Sequence, residues 1–442
     1  MLFFLAFVMF AAYIASDNIF SVESALKGAS YQVTESEYSS LAGAYSIFNV
    51  YLLMLIFGGL ILDKTGIRFT GIMSCILMIA GIAMLTWGIF SLRDRIAAGV
   101  EIPTVNFLGD TLRTPILWAV TGMGIYGVGA EIAGITVTKA IAKWFIGYEM
   151  ALAMGLQLSL ARLGTGLAYG VSPIVAKMVS GNLGIVVLIG LIMLAVGLGV
   201  FLVYAIYDKK LDRQIRDSGQ QNTAQDSSDE EFHLKDTLEV IKNPAFWLIA
   251  ILCLLFYAAV NPFLKYSTGM MVNKFGMSQE LAGLFPMILP MGCIVLTPLF
   301  GNVYDRKGHG ADLMILGAVL IVLVHAIFAI PSLTSNVIAI ILMITLGIGF
   351  AMLPSAMWPS IAKIMPAKLL GTTMALTFYI QNIGFIFVPK AIGAIKTASG
   401  DNYSYVSIFF AGLGIVALLL ALSVKLLDKK KHYGLQEANI KK

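Results

Sequence analysis

Twelve stretches of this chain are apolar and long enough to cross about 30 Å of hydrocarbon, which a helix spans in roughly 20 residues. They lie near 2–25, 40–62, 69–91, 115–138, 150–174, 184–206, 244–269, 280–303, 311–331, 336–358, 371–393 and 404–427. In lipid every backbone amide and carbonyl must be satisfied inside its own segment, so stretches of this kind are helices. With 58% hydrophobic and 12% charged residues, the composition excludes a soluble globular domain. The expected fold is an all-α membrane protein of twelve transmembrane helices.

The loops predict how the chain is threaded. Met1 leads straight into LFFLAFVMFAAYIAS without a basic leader, so the first stretch is expected to remain as a membrane helix. With both termini cytoplasmic, the inner loops hold Lys64, Arg68, Lys139, Lys143, Lys209, Lys210, Arg213, Arg216, Arg306, Lys307, Lys363 and Lys368, and the tail adds Lys429, Lys430 and Lys431. The outer loops are poorer, which agrees with the positive-inside rule. The net charge of +5 thus speaks of membrane orientation and not of nucleic acid. Cys75, Cys253 and Cys293 all fall within spans, with no spacing that suggests a disulfide or a metal site. Between the sixth and seventh spans lies a polar run rich in Gln, Ser and Asp that cannot bury enough apolar surface to fold alone. The organisation expected is a six-helix bundle over 1–207, a cytoplasmic linker over 208–243, a second six-helix bundle over 244–428 and a cytoplasmic tail over 429–442.

The two halves repeat. GGLILDKTG after the second span is echoed by FGNVYDRKG after the eighth, so that Gly59, Asp63, Lys64 and Gly66 match Gly301, Asp305, Arg306 and Gly308. A second register pairs Gly127 and Gly129 with Gly347 and Gly349, and Gly164 with Gly384. In that register Glu131 falls opposite Ala351 and Arg162 opposite Asn382, so an acid and a base depart from a repeated scaffold at two positions.

Glu131 and Arg162 sit in successive apolar spans at equal distances from the turn WFIGYEM. An antiparallel hairpin brings both to one depth, about 20 Å from the turn and near the bilayer midplane. Charges at that depth face a bundle interior or a wet cavity, where they pair with each other or meet a substrate. A structural ion pair and a substrate clamp both satisfy this placement.

The doubled G-x-x-x-D-[KR]-x-G loop resembles the signature of the major facilitator superfamily. Longer strings narrow the resemblance: YIASDN, AYSIFNVYLLMLIFGGLILDKTGIR, GVGAEIA followed by KWFIGYEMALAMGLQLSLARLG, and AMWPSIAKIMPAKLLGTTMALTFYIQNIG. These look like the lysosomal dipeptide transporter branch (major facilitator superfamily domain-containing protein 1) and its bacterial relatives. The resemblance implies two six-helix pseudo-symmetric bundles that rock around a central site, with Glu131 binding a peptide amino terminus and Arg162 its carboxylate. It also implies that Asp63, Lys64, Arg68, Asp305 and Arg306 belong to cytoplasmic gates. The physics agrees, because a zwitterion needs one acid and one donor spaced further apart than a direct ion pair, and Arg meets a carboxylate with two parallel bonds.

Further candidates for the substrate site are Asp17 and Asn18 in the first span, Tyr45 and Asn49 in the second, and Tyr257, Asn261 and Tyr266 around Pro262 in the seventh, where a broken helix is expected to expose backbone. Trp358 before Pro359 offers an apolar wall, and Asn382 holds the register of Arg162. Each is also explained by packing or helix–helix hydrogen bonding. His325 reads as a satisfied interhelical histidine. Lys265 departs from the family strings, which leaves a second reading open: an organic anion or carboxylate carrier with Arg162 and Lys265 as paired cations. A third is a membrane receptor that signals through the linker. No nucleophile triad, Gly-rich phosphate loop or metal-ligand spacing points to an enzyme, and no cofactor is expected. The expected partners are a small solute and the lipid bilayer, with the chain acting as a monomer. A bacterial inner membrane is the expected location, or a lysosomal membrane in an animal.

Overall fold

In the computed structural model the chain is helical almost throughout. The structure describes residues 1–145, 150–217, 237–366 and 369–438, and leaves the side chains at 63, 150–152, 215–217, 237, 362 and 371 outside the description. The expected gating side chain of Asp63, the hairpin turn at 146–149 and the centre of the linker therefore lie outside the described residues.

The elements in order are α1 (Leu2–Asp17), α2 (Glu23–Lys27), α3 (Glu35–Gly43), α4 (Ile47–Tyr51), α5 (Met54–Ala97), strands β1 (Thr104–Phe107) and β2 (Asp110–Arg113), α6 (Thr114–Phe145), α7 (Met150–Met178), α8 (Leu183–Asp217), α9 (Thr237–Ile241), α10 (Pro244–Asn273), α11 (Gln279–Lys307), α12 (Gly310–Phe328), α13 (Asn336–Ile364), α14 (Leu370–Ser399) and α15 (Tyr403–Lys431). Ten helices among the described residues are long and apolar enough to cross a membrane, and the bent pair Glu35–Tyr51 and Met54–Leu62 makes eleven. α7, 29 residues long, completes the twelve. It is set apart by its polar side chains, among them Gln157, Arg162 and Thr165.

The second span differs from the single helix expected over 40–62. Thr34 starts it with a capping box, in which its side chain accepts from the Glu37 amide while Glu37 reaches back to the Thr34 amide. The helix then tightens to a 3₁₀ turn at Ala44–Ser46 and breaks at Leu52 and Leu53, the latter left-handed at φ 54°. Its two parts meet at 60°. Helix α5 in turn contains the cytoplasmic turn between spans two and three, marked by Gly66 at φ 80°. At the opposite end β1 and β2 form a hairpin over Leu108 and Gly109, both at positive φ. The Arg113 guanidinium donates from Nε to Glu37 Oε1 at 2.7 Å and from Nη2 to Glu37 Oε2 at 2.6 Å, pinning the hairpin to the start of α3.

The chain divides into two compact units, Met1–Asp229 and Glu230–Lys442. That boundary falls inside the expected linker, although α8 carries the sixth span's helix on to Asp217, past the linker's expected start at 208. In the first unit α5 packs on α6 and α8, and α1 on α7 and α8; in the second α10 packs on α14 and α15, and α13 on α11 and α12. Glycines set these distances. A Cβ at Gly129 would stand 2.7 Å from the Ser74 carbonyl oxygen, and one at Gly349 would stand 3.1 Å from that of Gly317. The repeated glycine register thus serves close helix approach in both units.

Candidate substrate site

In the first unit α1, α6 and α7 pack together and present Tyr13 and Asp17, Glu131, and Arg162. The polypeptide can come this close because of two glycines. A Cβ at Gly164 would stand 3.3 Å from Tyr13 Cβ, so α7 lies directly against α1. A Cβ at Gly127 would stand 3.1 Å from Tyr45 Cα, so the 3₁₀ turn of the second span rests on α6 one helical turn before Glu131. The Tyr45 hydroxyl thereby reaches the acid and donates to Glu131 Oε1 at 3.2 Å.

Tyrosines surround the acid. Tyr126 stacks its ring at a tilt against Tyr45, centroids 6.1 Å apart, and its hydroxyl donates to the Ala12 carbonyl at 2.7 Å. Ser16 Oγ donates to Asp17 Oδ1 at 3.1 Å. Tyr13 faces Gly164, two residues after Arg162 on α7. Tyr13, Asp17, Tyr45, Glu131 and Arg162 are all half-buried, as groups lining an opening are, whereas Tyr126 is buried behind them. Asp17, Glu131 and the tyrosine hydroxyls thus share the first unit with Arg162 on the adjoining α7.

The other candidates divide. Asn18 is buried and donates from Nδ2 to the Val186 carbonyl at 2.9 Å, holding α1 to α8. Asn49 is buried, donates to the Tyr45 carbonyl at 3.4 Å and keeps its Oδ1 without a hydrogen-bond partner among the described residues. In the second unit Trp358 Nε1 donates to the Tyr257 hydroxyl at 3.1 Å, and Trp358 stacks on Phe378 with centroids 4.8 Å apart. Tyr266 donates to the Pro389 carbonyl at 3.3 Å, and Asn382 to that of Phe378 at 3.0 Å; both are buried. Asn261 and Lys265 are half-buried on α10. Contrary to the broken helix expected there, α10 runs through Pro262 without interruption. It packs there against α14 and α15, and the proline removes one backbone bond without ending the helix. His325 is buried, with Nε2 3.1 Å from the Ala259 carbonyl and its ring against Phe263 and Phe410.

Of the gating candidates, Lys64 and Arg306 are exposed, and Asp305 is half-buried. Arg68 donates from Nη1 to Asp208 at 2.9 Å and to Asp212 at 2.5 Å, and Lys143 Nζ reaches the same two carboxylates at 2.8 and 2.6 Å. Trp144 Nε1 and the Tyr204 hydroxyl also donate to Asp208, at 3.2 and 3.3 Å. The cluster ties the turn inside α5 near Gly66 to the C-terminal parts of α6 and α8 within the first unit. Sequence reasoning misses its acids because Asp208 and Asp212 fall in the expected linker; their i, i+4 spacing next to the last apolar turn is the available signal. It also misses Tyr13 and Tyr126. Tyr13 lies four residues before Asp17 on the same helix face, which is where a side chain sharing its opening should be sought.

The model of the Major Facilitator Superfamily matches residues 5–389, and the chain belongs to that family. The protein is a multi-pass membrane transporter and not an enzyme. Among characterised relatives, the Lysosomal dipeptide transporter MFSD1 of Homo sapiens is 27% identical over 436 residues, covering 96% of this chain and 85% of the relative. The protein of the same name from Bos taurus is 28% identical over 439 residues, covering 97% and 84%. Among solved structures, the D-xylose-proton symporter superposes with a TM-score of 0.70 at 16% identity, covering 95% of this chain and 96% of that one. A mutant form of peptide transporter POT follows at 0.67 and 14%, covering 99% and 95%. At those identities the structural likeness concerns the fold alone.

Proposed function

We propose that the protein carries dipeptides across its membrane by alternating access without coupling to protons. Glu131 receives the peptide's ammonium and Arg162 its carboxylate, while Tyr13 and Tyr45 supply hydroxyls between and beside them. The observation that carries this reading is that α1, α6 and α7 bring the acid and the base into one half-buried polar group, with Tyr45 donating to Glu131 and Tyr13 facing Gly164, two residues after Arg162 on α7. A zwitterion that replaces contacts the two charges already make in the empty site lowers the desolvation cost of binding. The similarity to dipeptide transporters along nearly the full chain supports the same choice. Recognition through termini and backbone leaves side chains free, so a range of dipeptides should bind.

The test is a thermal-shift screen of the purified protein against dipeptides, single amino acids, tripeptides and dicarboxylates. Dipeptides of different side chains should raise the melting temperature and the other classes should not. Stabilisation by dicarboxylates, with none by dipeptides, would replace this reading with an anion carrier.

A further inference from the structure

The second copy of the repeated cytoplasmic loop is covered by the chain's own tail. After α15, His432 at φ 57° and Gly434 at φ 79° turn the chain back under the second unit. Leu435 is fully buried there, and its amide donates to Asp428 Oδ1 at 3.1 Å. The amides of His309 and Gly310 donate to the carbonyls of Gln436 and Leu435 at 3.0 and 2.9 Å. Lys363 Nζ donates to the Gly434 and Glu437 carbonyls at 2.8 and 3.0 Å, with its ammonium 4.9 Å above the Tyr304 ring.

Gly308 carries the imprint of this contact. Its φ of 74° favours glycine, and a Cβ there would also stand 2.8 Å from the Ala438 amide nitrogen. Gly66, its counterpart in the first copy, has φ 80° and, among the described residues, nothing within 4 Å of such a Cβ. The loop motif explains the conformation of both glycines, but only the tail explains the crowding at one of them.

Lys363 stands four residues beyond Pro359 in the last turn of α13, which also contains Pro354. Each proline removes a backbone hydrogen bond from the helix, so the end of α13 is a place where bending is cheap. The tail ties that end to the loop before α12.

We propose that residues 432–438 form an intramolecular strap that brakes bending at the end of α13 and so slows the conformational step of transport. Its occupant is this chain's own tail, held by backbone carbonyls on one cation and two amides. The turnover readout rests on the transport function proposed above, whereas the exchange readout needs no substrate, so the two ideas fail separately.

The experiment compares full-length protein in lipid nanodiscs with a chain ending at Lys431 and with full-length Leu435→Asp, which ejects the tail without shortening it. Hydrogen exchange at His309, Gly310 and the last turn of α13 should speed up about tenfold or more in both variants, with the Gly66 region unchanged. In proteoliposomes, turnover at saturating dipeptide should rise about two- to fivefold with KM unchanged, because a conformational step limits the cycle. A synthetic peptide of residues 432–442 added to the truncated chain should reverse both effects. Unaltered exchange at His309 and Gly310 in both variants overturns the strap, and faster exchange with equal or lower turnover overturns the brake.

Discussion

The two units share a scaffold but use two equivalent positions in opposite ways. At the first, Glu131 is half-buried and accepts from Tyr45, whereas Ala351 is a buried core residue. At the second, Arg162 is half-buried on the helix that meets α1, whereas Asn382 is buried and bonded to its own helix at Phe378. The glycines around these positions perform the same packing task in both units. A duplicated fold therefore keeps its helix contacts, while charge is carried by one unit at positions the other fills with neutral side chains. Keeping charge at membrane depth is costly, so its presence in only one copy marks function more sharply than a charge repeated in both.

The largest effect should separate these two positions. Arg162→Ala removes two charge-assisted hydrogen bonds of about 1.5 kcal/mol each, so dipeptide uptake should fall roughly a hundredfold. Asn382→Ala should lower thermal stability by about 1 kcal/mol and leave uptake within about twofold. Equal losses of uptake in the two variants would erase the asymmetry. Arg162→Lys retains the charge but not the fork and should still cost about tenfold in uptake, measured in proteoliposomes.

A smaller effect is expected at the tyrosine that orients the acid. Tyr45→Phe deletes the hydroxyl donated to Glu131 and should weaken dipeptide binding about fivefold, by calorimetry, with the melting temperature of the empty protein nearly unchanged. Unaltered affinity would make that hydrogen bond a packing detail.

The smallest expected effect is none. The proposed uncoupled cycle assigns no proton transfer to Glu131. An inward proton gradient imposed on proteoliposomes should then leave dipeptide uptake at the external concentration. Accumulation beyond that concentration, abolished by a protonophore, would make Glu131 or Asp17 a proton site and end the uncoupled account.

Hydropathy alone made the twelve spans legible, because a run of about 20 apolar residues has few alternatives to a membrane helix. The same signal hid the break in the second span. Tyr51, Leu52 and Leu53 are apolar or aromatic, and no glycine or proline marks the spot, so the left-handed turn at Leu53 has no signal in the linear sequence. In the site, Glu131 and Arg162 were legible as charges out of place, and Tyr45 as a polar group in an apolar run. Tyr13 and Tyr126 were not, since tyrosines in membrane helices commonly serve as packing or interfacial anchors. The opposite error arose at Pro262, where a proline suggested a break that the packing of α10 against α14 and α15 does not permit.

The central claim is that two charges grip the two ends of one peptide, and a cross of ligands with variants tests it most directly. Affinities of a free dipeptide, its N-acetyl form and its C-amide form are measured for the unsubstituted protein, Glu131→Gln and Arg162→Ala. In the unsubstituted protein each blocking group should weaken binding about tenfold or more. With Glu131→Gln, N-acetylation should cost nothing further while amidation keeps its full penalty; with Arg162→Ala the pattern should reverse. Blocking penalties that persist undiminished in both variants would contradict the clamp, because neither charge would then be reading the terminus assigned to it.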